Sequence, residues 1–399
     1  MMTVTRKRSI PAPKLALNGE SPWAVFGESA ADAPRAKYNL VSLFSGCGGV
    51  DLGFHFAGFR TIWANDINLD AAETFTENLG KISVGDIRTT PWPVVRNKVH
   101  VLAAGFPCQP FSNAGSRLGL EDDRGTLFYD ALRAVKHFAP EVVLFENVRG
   151  ILSFKLHGAP LVKVIGDALG KLGYDTAFKL VDASAHRVGQ RRLRLIIIGA
   201  RNGANPAAMF PSGQPNDGLA IGQMLSGIKK SSPNQDELMP LNPQAVMLGK
   251  HVPEGGSWKN IPYEILPDRL KRLRDDIKRY RWPNFYRRFH RDEVAGTVTA
   301  AFKPENAAVW HPVHGGVLSV REVARIQSFP DWFEFKGKSV KARYQQIGNA
   351  VPPRLAYEFA SRIAKVLAQP ATPSLAALSF TEFDQLGRPY RPTDLPVLI

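Results

Sequence analysis

The sequence predicts an α/β protein, with a mostly parallel sheet covered by helices on both faces and a smaller, irregular second domain. Three observations predict it. Short apolar runs alternate with helix-like stretches from residue 38 onward. One pair of runs lies too close together for a helical crossover. The alternation stops near residue 203 and returns near residue 315.

The elements follow in order. Residues 1–37 are rich in Pro, Ala and charge without sustained periodicity, so a flexible extension is expected. NLVSLF (39–44), FRTIWAND (59–66), ISVGD (82–86), VHVLAAGF (99–106) and EVVLFE (141–146) read as strands. Helix-like stretches near 50–58, 69–79, 126–138 and 160–172 separate and follow them, which makes the strands parallel. YDTAFKLVDAS (174–184) and RLRLIIIGAR (192–201) are separated only by AHRVGQR, so they are expected to pair antiparallel as a hairpin at one edge. Pro, Gly, Asn and Ser then become frequent, and 203–314 reads as the second domain. Alternation returns at VLSVREVARIQS (317–328), and a helix from about 353 to 367 completes the closing part, 315–368. Residues 369–399 are a Pro-rich tail.

Composition narrows the function. With 399 residues and 44% hydrophobic content the chain can bury a substantial core. Mean hydropathy is −0.16, and no apolar run reaches the ~18 residues of a membrane span. The basic N-terminus lacks the apolar stretch of a secretory signal. The two cysteines, Cys47 and Cys108, form no CxxC pair and cannot build a disulfide framework, which fits a reducing, cytoplasmic setting. Each thiol is therefore packing or chemistry. Fifty-one basic residues against 36 acidic give a net charge of +15, which predicts attraction to a polyanion such as nucleic acid.

Ligands of open α/β sheets bind beyond the carboxyl ends of the strands. The first run ends in Phe44-Ser45-Gly46-Cys47-Gly48-Gly49, the second in Asp66, the third in Asp86. The fourth ends in Gly105-Phe106-Pro107-Cys108-Gln109 and the fifth in Glu146-Asn147-Val148. Glycines 46, 48 and 49 let backbone approach a ligand at a helix start, and the loop is not the GxGxxG of nicotinamide cofactors. An acid at the end of the second strand, Asp66, suits ribose hydroxyls, and Asp86 suits an adenine amino group. Either Asp alone reads equally well as a helix cap. Cys108 stands in a polar loop where a buried, inert thiol is poorly hidden. Glu146 is either paired with Arg149 or another base, or is a carboxyl able to donate a proton.

These residues resemble the cytosine-5 DNA methyltransferase family. The similarity runs from about Asn39 to Arg201 and from about Arg291 to Ala364. It rests on the glycine loop 44–49, Gly105-Phe106-Pro107-Cys108-Gln109-Pro110-Phe111-Ser112 and Arg124-Gly125-Thr126-Leu127-Phe128. It continues through Glu146-Asn147-Val148, Gln190-Arg191-Arg192-Leu193-Arg194 and Gln346-Ile347-Gly348-Asn349-Ala350-Val351-Pro352. Where family members often carry Glu, this chain has Asp66.

The resemblance implies a Rossmann-like S-adenosylmethionine-dependent methyltransferase sheet, with 38–202 and 315–368 forming the catalytic domain and 203–314 a DNA-recognition domain. Phe44, Ser45, Gly46, Cys47, Gly48, Gly49, Asp66, Ile67, Asp86, Ile87 and Asn349 would hold S-adenosylmethionine. Cys108 would attack cytosine C6, Glu146 would protonate or hydrogen-bond N3, and Arg194, with Arg192, would contact the pyrimidine oxygen and the backbone. Pro107 would shape the loop and Asn147 orient it. No metal is expected. The implied substrate is double-stranded DNA with the target base flipped out. The implied setting is a prokaryotic restriction-modification system with a cognate endonuclease, and the implied enzyme is a monomer.

RLKRLRDDIKRYRWPNFYRRFHR (269–291) holds ten Arg or Lys against two Asp, interleaved with Tyr280, Trp282, Phe285, Tyr286 and Phe289. It reads as phosphate contacts with base or sugar packing, against the plainer reading of a solvated helix face and a core-packing aromatic segment. Three rivals keep parts of this pattern: a tRNA cytosine-5 methyltransferase, a catalytically silent DNA-binding homologue and a nicotinamide oxidoreductase.

Overall fold

The computed structural model describes residues 23–107, 127–156, 158–214, 218–276, 285–369 and 381–383. Strands β1 (Tyr38–Leu43), β2 (Phe59–Asp66), β3 (Ser83–Val84), β4 (Val101–Ala104) and β5 (Val142–Val148) come first, interleaved with helices α1 (Gly49–Phe56), α2 (Leu69–Leu79) and α3 (Leu127–Phe138). A small ribbon, β6 (Lys155–Leu156) and β7 (Ala159–Pro160), leads into α4 (Leu161–Lys171), then β8 (Asp175–Asp182) and β9 (Leu193–Ala200). The second lobe adds α5 (Ile221–Leu225), α6 (Pro243–Lys250) and α7 (Asp268–Asp275). After it come α8 (Val320–Ile326), α9 (Val340–Asn349), α10 (Pro353–Leu367) and β10 (Thr381–Phe383).

The main sheet runs β10-β8-β9-β5-β4-β1-β2-β3. Strand β9 is antiparallel to both neighbours, β5 and β8, and the other pairings are parallel. The expected antiparallel hairpin therefore forms, but its second strand is interior. The side chains explain this: Leu195–Ala200 is buried at every position, whereas Asp175, Lys179, Leu180 and Asp182 of β8 are only half-buried. The more apolar strand takes the inner place, and β10 lies outside β8.

Both faces of the sheet are apolar, as a covered parallel sheet requires. Val41, Leu43, Leu102, Val143 and Phe145 pack against Phe128 and Val135 of α3 and Ile165 and Leu169 of α4. The alternate residues Leu40, Val101, Val142 and Leu144 pack against Phe54 of α1 and Leu355, Phe359 and Ile363 of α10. A third cluster joins Trp258, Phe285, Trp310, Val323, Phe329, Tyr344 and Ile347. Helices α8 and α9 thus share a core with the second lobe, while α10 covers the sheet. The run 317–328 does not continue as a sheet-like element. Ser319 and Glu322 form a capping box, with Glu322 N donating to Ser319 Oγ at 3.1 Å and Ser319 N to Glu322 Oε2 at 2.8 Å, and start α8.

The N-terminal expectation is corrected in part. Residues 23–33 are seated on the body rather than loose. Phe26 is fully buried, its ring 5.5 Å from that of Phe56 and 6.3 Å from that of Tyr357. Trp332 Nε1 donates to Phe26 O at 3.2 Å, and Arg325 lies over the Trp23 ring at 4.4 Å. Two aromatic residues are enough to dock a stretch whose overall composition is polar. Among the described residues, no helix is long and apolar enough to cross a membrane.

Candidate active site

A cleft of about 570 Å³ opens at the carboxyl edge of the sheet. Its walls include Phe44–Cys47, Asp66, Asp86, Gly105–Pro107, Glu146–Val148, Arg192, Arg194 and Asn349. The five strand ends singled out from the sequence therefore meet at one place. Cys108 itself lies outside the described residues, immediately after Pro107.

The glycine loop follows β1 through a series of left-handed residues: Phe44 (φ 54°), Gly46 (φ 55°) and Gly48 (φ 91°). At Gly48 a Cβ would stand 2.4 Å from Leu79 Cδ1, and at Gly49 it would stand 2.3 Å from Val351 O. Gly49 is required by this backbone contact, and Gly48 by its left-handed φ together with the crowding. At Gly46 a Cβ would meet nothing within 4 Å, so this residue leaves the loop open toward the cleft. Asp66 braces the loop: Gly46 N donates to its Oδ2 and Asn68 N to its Oδ1, both at 2.7 Å. Burial raises the Asp66 carboxyl above its ordinary value against these hydrogen bonds. Beside it Ile67 is 66% exposed, an apolar side chain on the cleft wall, while Ile87 is buried beneath. An open backbone cradle, an apolar shelf and two carboxylates fit a nucleoside with an amino-acid tail.

Two expected cofactor contacts look different in place. Asp86 is held by Arg88, whose Nε and Nη2 reach Oδ2 at 3.0 and 2.6 Å, and this hydrogen bonding draws the carboxyl below its ordinary value. Cys47 is 2% exposed, with Sγ 3.9 Å from Gln346 O, and burial pushes its thiol up to about 12. It is packing, not a nucleophile.

The other wall follows from the reversed β9. A parallel strand would bring its last residues to this edge, whereas β9 brings its first. Glu146 lies opposite Ile196 and Val148 opposite Arg194, so Glu146 and Arg194 are diagonal neighbours. Arg194 Nε meets Glu146 Oε1 at 2.7 Å, with the side chains 11% and 13% exposed. The partner of Glu146 is thus Arg194 rather than Arg149. Asn147 Nδ2 donates to Phe106 O at 3.2 Å, tying the end of β5 to the backbone just before Pro107.

Arg192 is 1% exposed and does not reach into the cleft as a free cation. It donates to Val298 O and Gly348 O at 2.8 Å and to Ala350 O at 3.0 Å. Burial drives its guanidinium well below its ordinary value, with Arg194 adding to the effect. Its contacts fix the turn that carries Asn349. Gln190 adds to the same junction by accepting from Val298 N at 3.0 Å and pairing with Gln327. Sequence reading missed this junction, although Gln190 and Arg192 stand two residues apart, as an inward-facing pair on extended chain would.

The basic segment is corrected in part, since Lys278, Arg279 and Arg281 lie outside the described residues. Phe285, Tyr286 and Phe289 are buried in the core of the second lobe. Arg288 is also buried, donating to Val252 O at 2.8 Å, Gly249 O at 3.1 Å and His314 O at 2.8 Å. Arg287 pairs with Glu293 at 2.6 Å and Arg291 with Glu254 at 2.7 Å. These aromatics and cations hold the lobe together; Arg269 and Arg272 of α7 remain exposed. Tyr280 and Trp282 lie outside the described residues.

His311, His314 and Glu322 bring three potential ligand atoms within 4.8 Å of one another. Nδ1 of His311 faces Val313 N at 3.1 Å and Nδ1 of His314 faces Gly316 N at 3.4 Å. Both Nδ1 atoms accept from backbone, which leaves the ring proton on Nε2, where a metal needs a bare nitrogen. His311 Nε2 lies 4.0 Å from Glu322 Oε1, and the two imidazole rings stack with centroids 3.5 Å apart.

Residues 38–365 match the family model for C-5 cytosine-specific DNA methylase. The chain is 36% identical over 359 residues to the Type II methyltransferase M.PspPI of Psychrobacter sp. (strain TA137), covering 85% of this chain and 82% of that protein. It is 35% identical over 351 residues to the Type II methyltransferase M.Eco47II of Escherichia coli, covering 83% and 79%. Among solved structures, the Entamoeba histolytica methyltransferase EhMeth superposes with a TM-score of 0.57 at 15% identity, over 84% of this chain and all of that one. The S. pombe Dnmt2 methyltransferase gives 0.53 at 18% over the same shares. The last two similarities are of fold alone.

Proposed function

Because this chain belongs to the C-5 cytosine-specific DNA methylase family and is a DNA (cytosine-5)-methyltransferase, we propose that its cleft holds S-adenosylmethionine beside a cytosine turned out of duplex DNA. When bound, S-adenosylmethionine supplies an electrophilic methyl group. Phe44, the loop 45–49, Asp66, Ile67, Asp86, Ile87 and Asn349 form its seat. Cys47 and Arg192 contribute by packing and by fixing the Asn349 turn.

The remaining residues act on cytosine, whose C5 is a weak nucleophile. The Cys108 thiolate adds to C6, forming a C–S bond and moving an electron pair toward C5. Glu146 holds a proton at N3 to offset the negative charge that develops there. Arg194 keeps Glu146 aimed and reaches the ring oxygen. C5 uses that pair for the bond to the methyl group, whose bond to the donor's sulfur breaks and leaves the neutral thioether; the C5 proton then leaves, its electron pair returns to the ring and the thiolate is expelled. Pro107 shapes the nucleophile loop and Asn147 ties it to β5. The observation that supports this reading is the shared cleft of Pro107, the Glu146–Arg194 pair and the glycine loop.

Residues 203–314 serve as the sequence-reading region, with 38–202 and 315–368 as the catalytic part. The Type II relatives support a role in restriction-modification beside a cognate endonuclease; our reading adds a monomeric enzyme in a prokaryotic cytoplasm. Incubation with labelled S-adenosylmethionine and either duplex DNA or tRNA tests the substrate. Label is expected in DNA cytosine, and incorporation into tRNA alone would overturn the reading.

A further inference from the structure

Among the described residues, Asp51 is the most deeply buried of the carboxyls that the mechanism leaves unused. Asp51, in the first turn of α1, is 1% exposed. Its Oδ2 accepts from Ser42 Oγ and its Oδ1 from Thr61 Oγ1, both at 2.9 Å. Ser42 Oγ is in turn 2.9 Å from Ser45 Oγ, which donates within reach of Ser42 Oγ, Ser42 O (3.1 Å) and Asn65 O (3.3 Å). A chain of side-chain hydrogen bonds thus runs from β2 through α1 and β1 to the glycine loop. Its far end, Ser45, lines the cleft.

The chain sits where the backbone ladder is interrupted. Leu40 pairs with Thr61 but Val41 pairs with Trp63, so Ile62 is an extra residue in β2. A bulge loosens the pairing just before the strand ends that carry the loop and Asp66. Burying a carboxylate is costly, and here burial pushes the Asp51 carboxyl up to about 6 against the two hydroxyl hydrogen bonds. An apolar residue could fill this space without that cost. A carboxylate is the group that accepts from hydroxyls on two different strands at once.

We infer that Asp51 is a positioning residue for the cofactor: without touching it, Asp51 holds Ser45 and the glycine loop in their binding shape through Ser42 across the β2 bulge. The inference rests on the assignment of this cleft to S-adenosylmethionine.

The test is calorimetric titration of the full chain with S-adenosylmethionine, together with duplex DNA binding and thermal unfolding of the same samples. Asp51→Asn keeps the shape but can accept from only one of the two hydroxyls. Loss of one charge-assisted link predicts cofactor affinity weakened about tenfold, with DNA affinity unchanged within about twofold. Ser45→Ala should weaken cofactor binding similarly. The double variant should bind no more weakly than the weaker single one, because Asp51 then has nothing to hold. Should Asp51→Asn not fold, Ser42→Ala cuts the same chain and carries the same expectations. Unchanged cofactor affinity, losses that add in the double variant, or an equal loss of DNA affinity would each overturn the positioning role. No binding of S-adenosylmethionine to the unaltered chain would overturn the cofactor assignment, and the inference with it.

Discussion

Replacing Glu146 by Gln separates what this side chain does for stability from what it does for the reaction. The carboxylate meets Arg194 Nε at 2.7 Å with only 13% of its side chain exposed. Gln has nearly the same shape and its amide oxygen can still accept from Arg194. The substitution therefore turns an ion pair into a hydrogen bond from charged Arg194 to a neutral acceptor, a loss of about 1–1.5 kcal/mol in stability. The effect on the reaction should be larger. An amide can donate a hydrogen bond to N3 but cannot give up a proton to it, and a positioned acid is worth about 10²–10⁴ in rate, or about 3–5 kcal/mol of barrier. DNA affinity is set chiefly by phosphate contacts and should change less than about threefold. Single-turnover methyl transfer to duplex DNA gives the rate, and fluorescence anisotropy of the same labelled duplex gives the affinity. A rate that falls only about as far as the stability predicts would reduce Glu146 to a structural partner of Arg194.

Three further outcomes follow from the same structure. Arg192→Met should cost about 3 kcal/mol or more in urea unfolding, because it strips a charged donor from three carbonyls in the interior; a loss below about 1 kcal/mol would mean that the junction does not depend on it. Phe26→Ala should cost about 3–4 kcal/mol in the same assay, and no loss would mean that residues 23–33 are not seated. Burial lowers His186 to about 4 from 6.5, so the unfolded chain binds its proton first and stability is lost as pH falls from about 6.5 to 4. Asp51, raised to about 6 from 3.8, works oppositely and regains stability as pH falls through 6. His186→Asn should remove the first effect only. Its unfolding free energy relative to the unaltered chain should therefore rise by about 3 kcal/mol between pH 6.5 and 4, and parallel curves would contradict the linkage.

The strand–helix alternation was legible because a covered parallel sheet writes its apolar runs plainly. The site was legible because the carboxyl edge collects whatever follows each run: Ser45 to Cys47, Gly49, Asp66, Asp86, Pro107 and Glu146 reach one cleft. What escaped depends on long-range pairing. No local pattern says that β9 slips between β5 and β8, and that insertion is what makes Arg194 the partner of Glu146. The basic stretch misled at its described end, residues 285–291, because charge density does not reveal partners. Arg287 and Arg291 find carboxylates, Arg288 finds carbonyls, and Phe285 and Phe289 find a core. Helix α9 was also missed, although Ser339 caps it by accepting from Ala342 N at 3.1 Å. Residues 23–33 were misread because docking there depends on a few aromatics that composition averages away.

The central claim is that a sulfur and a carboxyl act on one pyrimidine beside the cofactor, and an arrested reaction tests it most directly. Duplex DNA carrying 5-fluorocytosine cannot lose the C5 substituent after methyl transfer, so the enzyme should remain bonded to it in the presence of S-adenosylmethionine. The account predicts one denaturation-resistant complex whose cross-linked peptide contains Cys108, absent from Cys108→Ala. A bond to another residue, or methylation of ordinary duplex by Cys108→Ala, would contradict it.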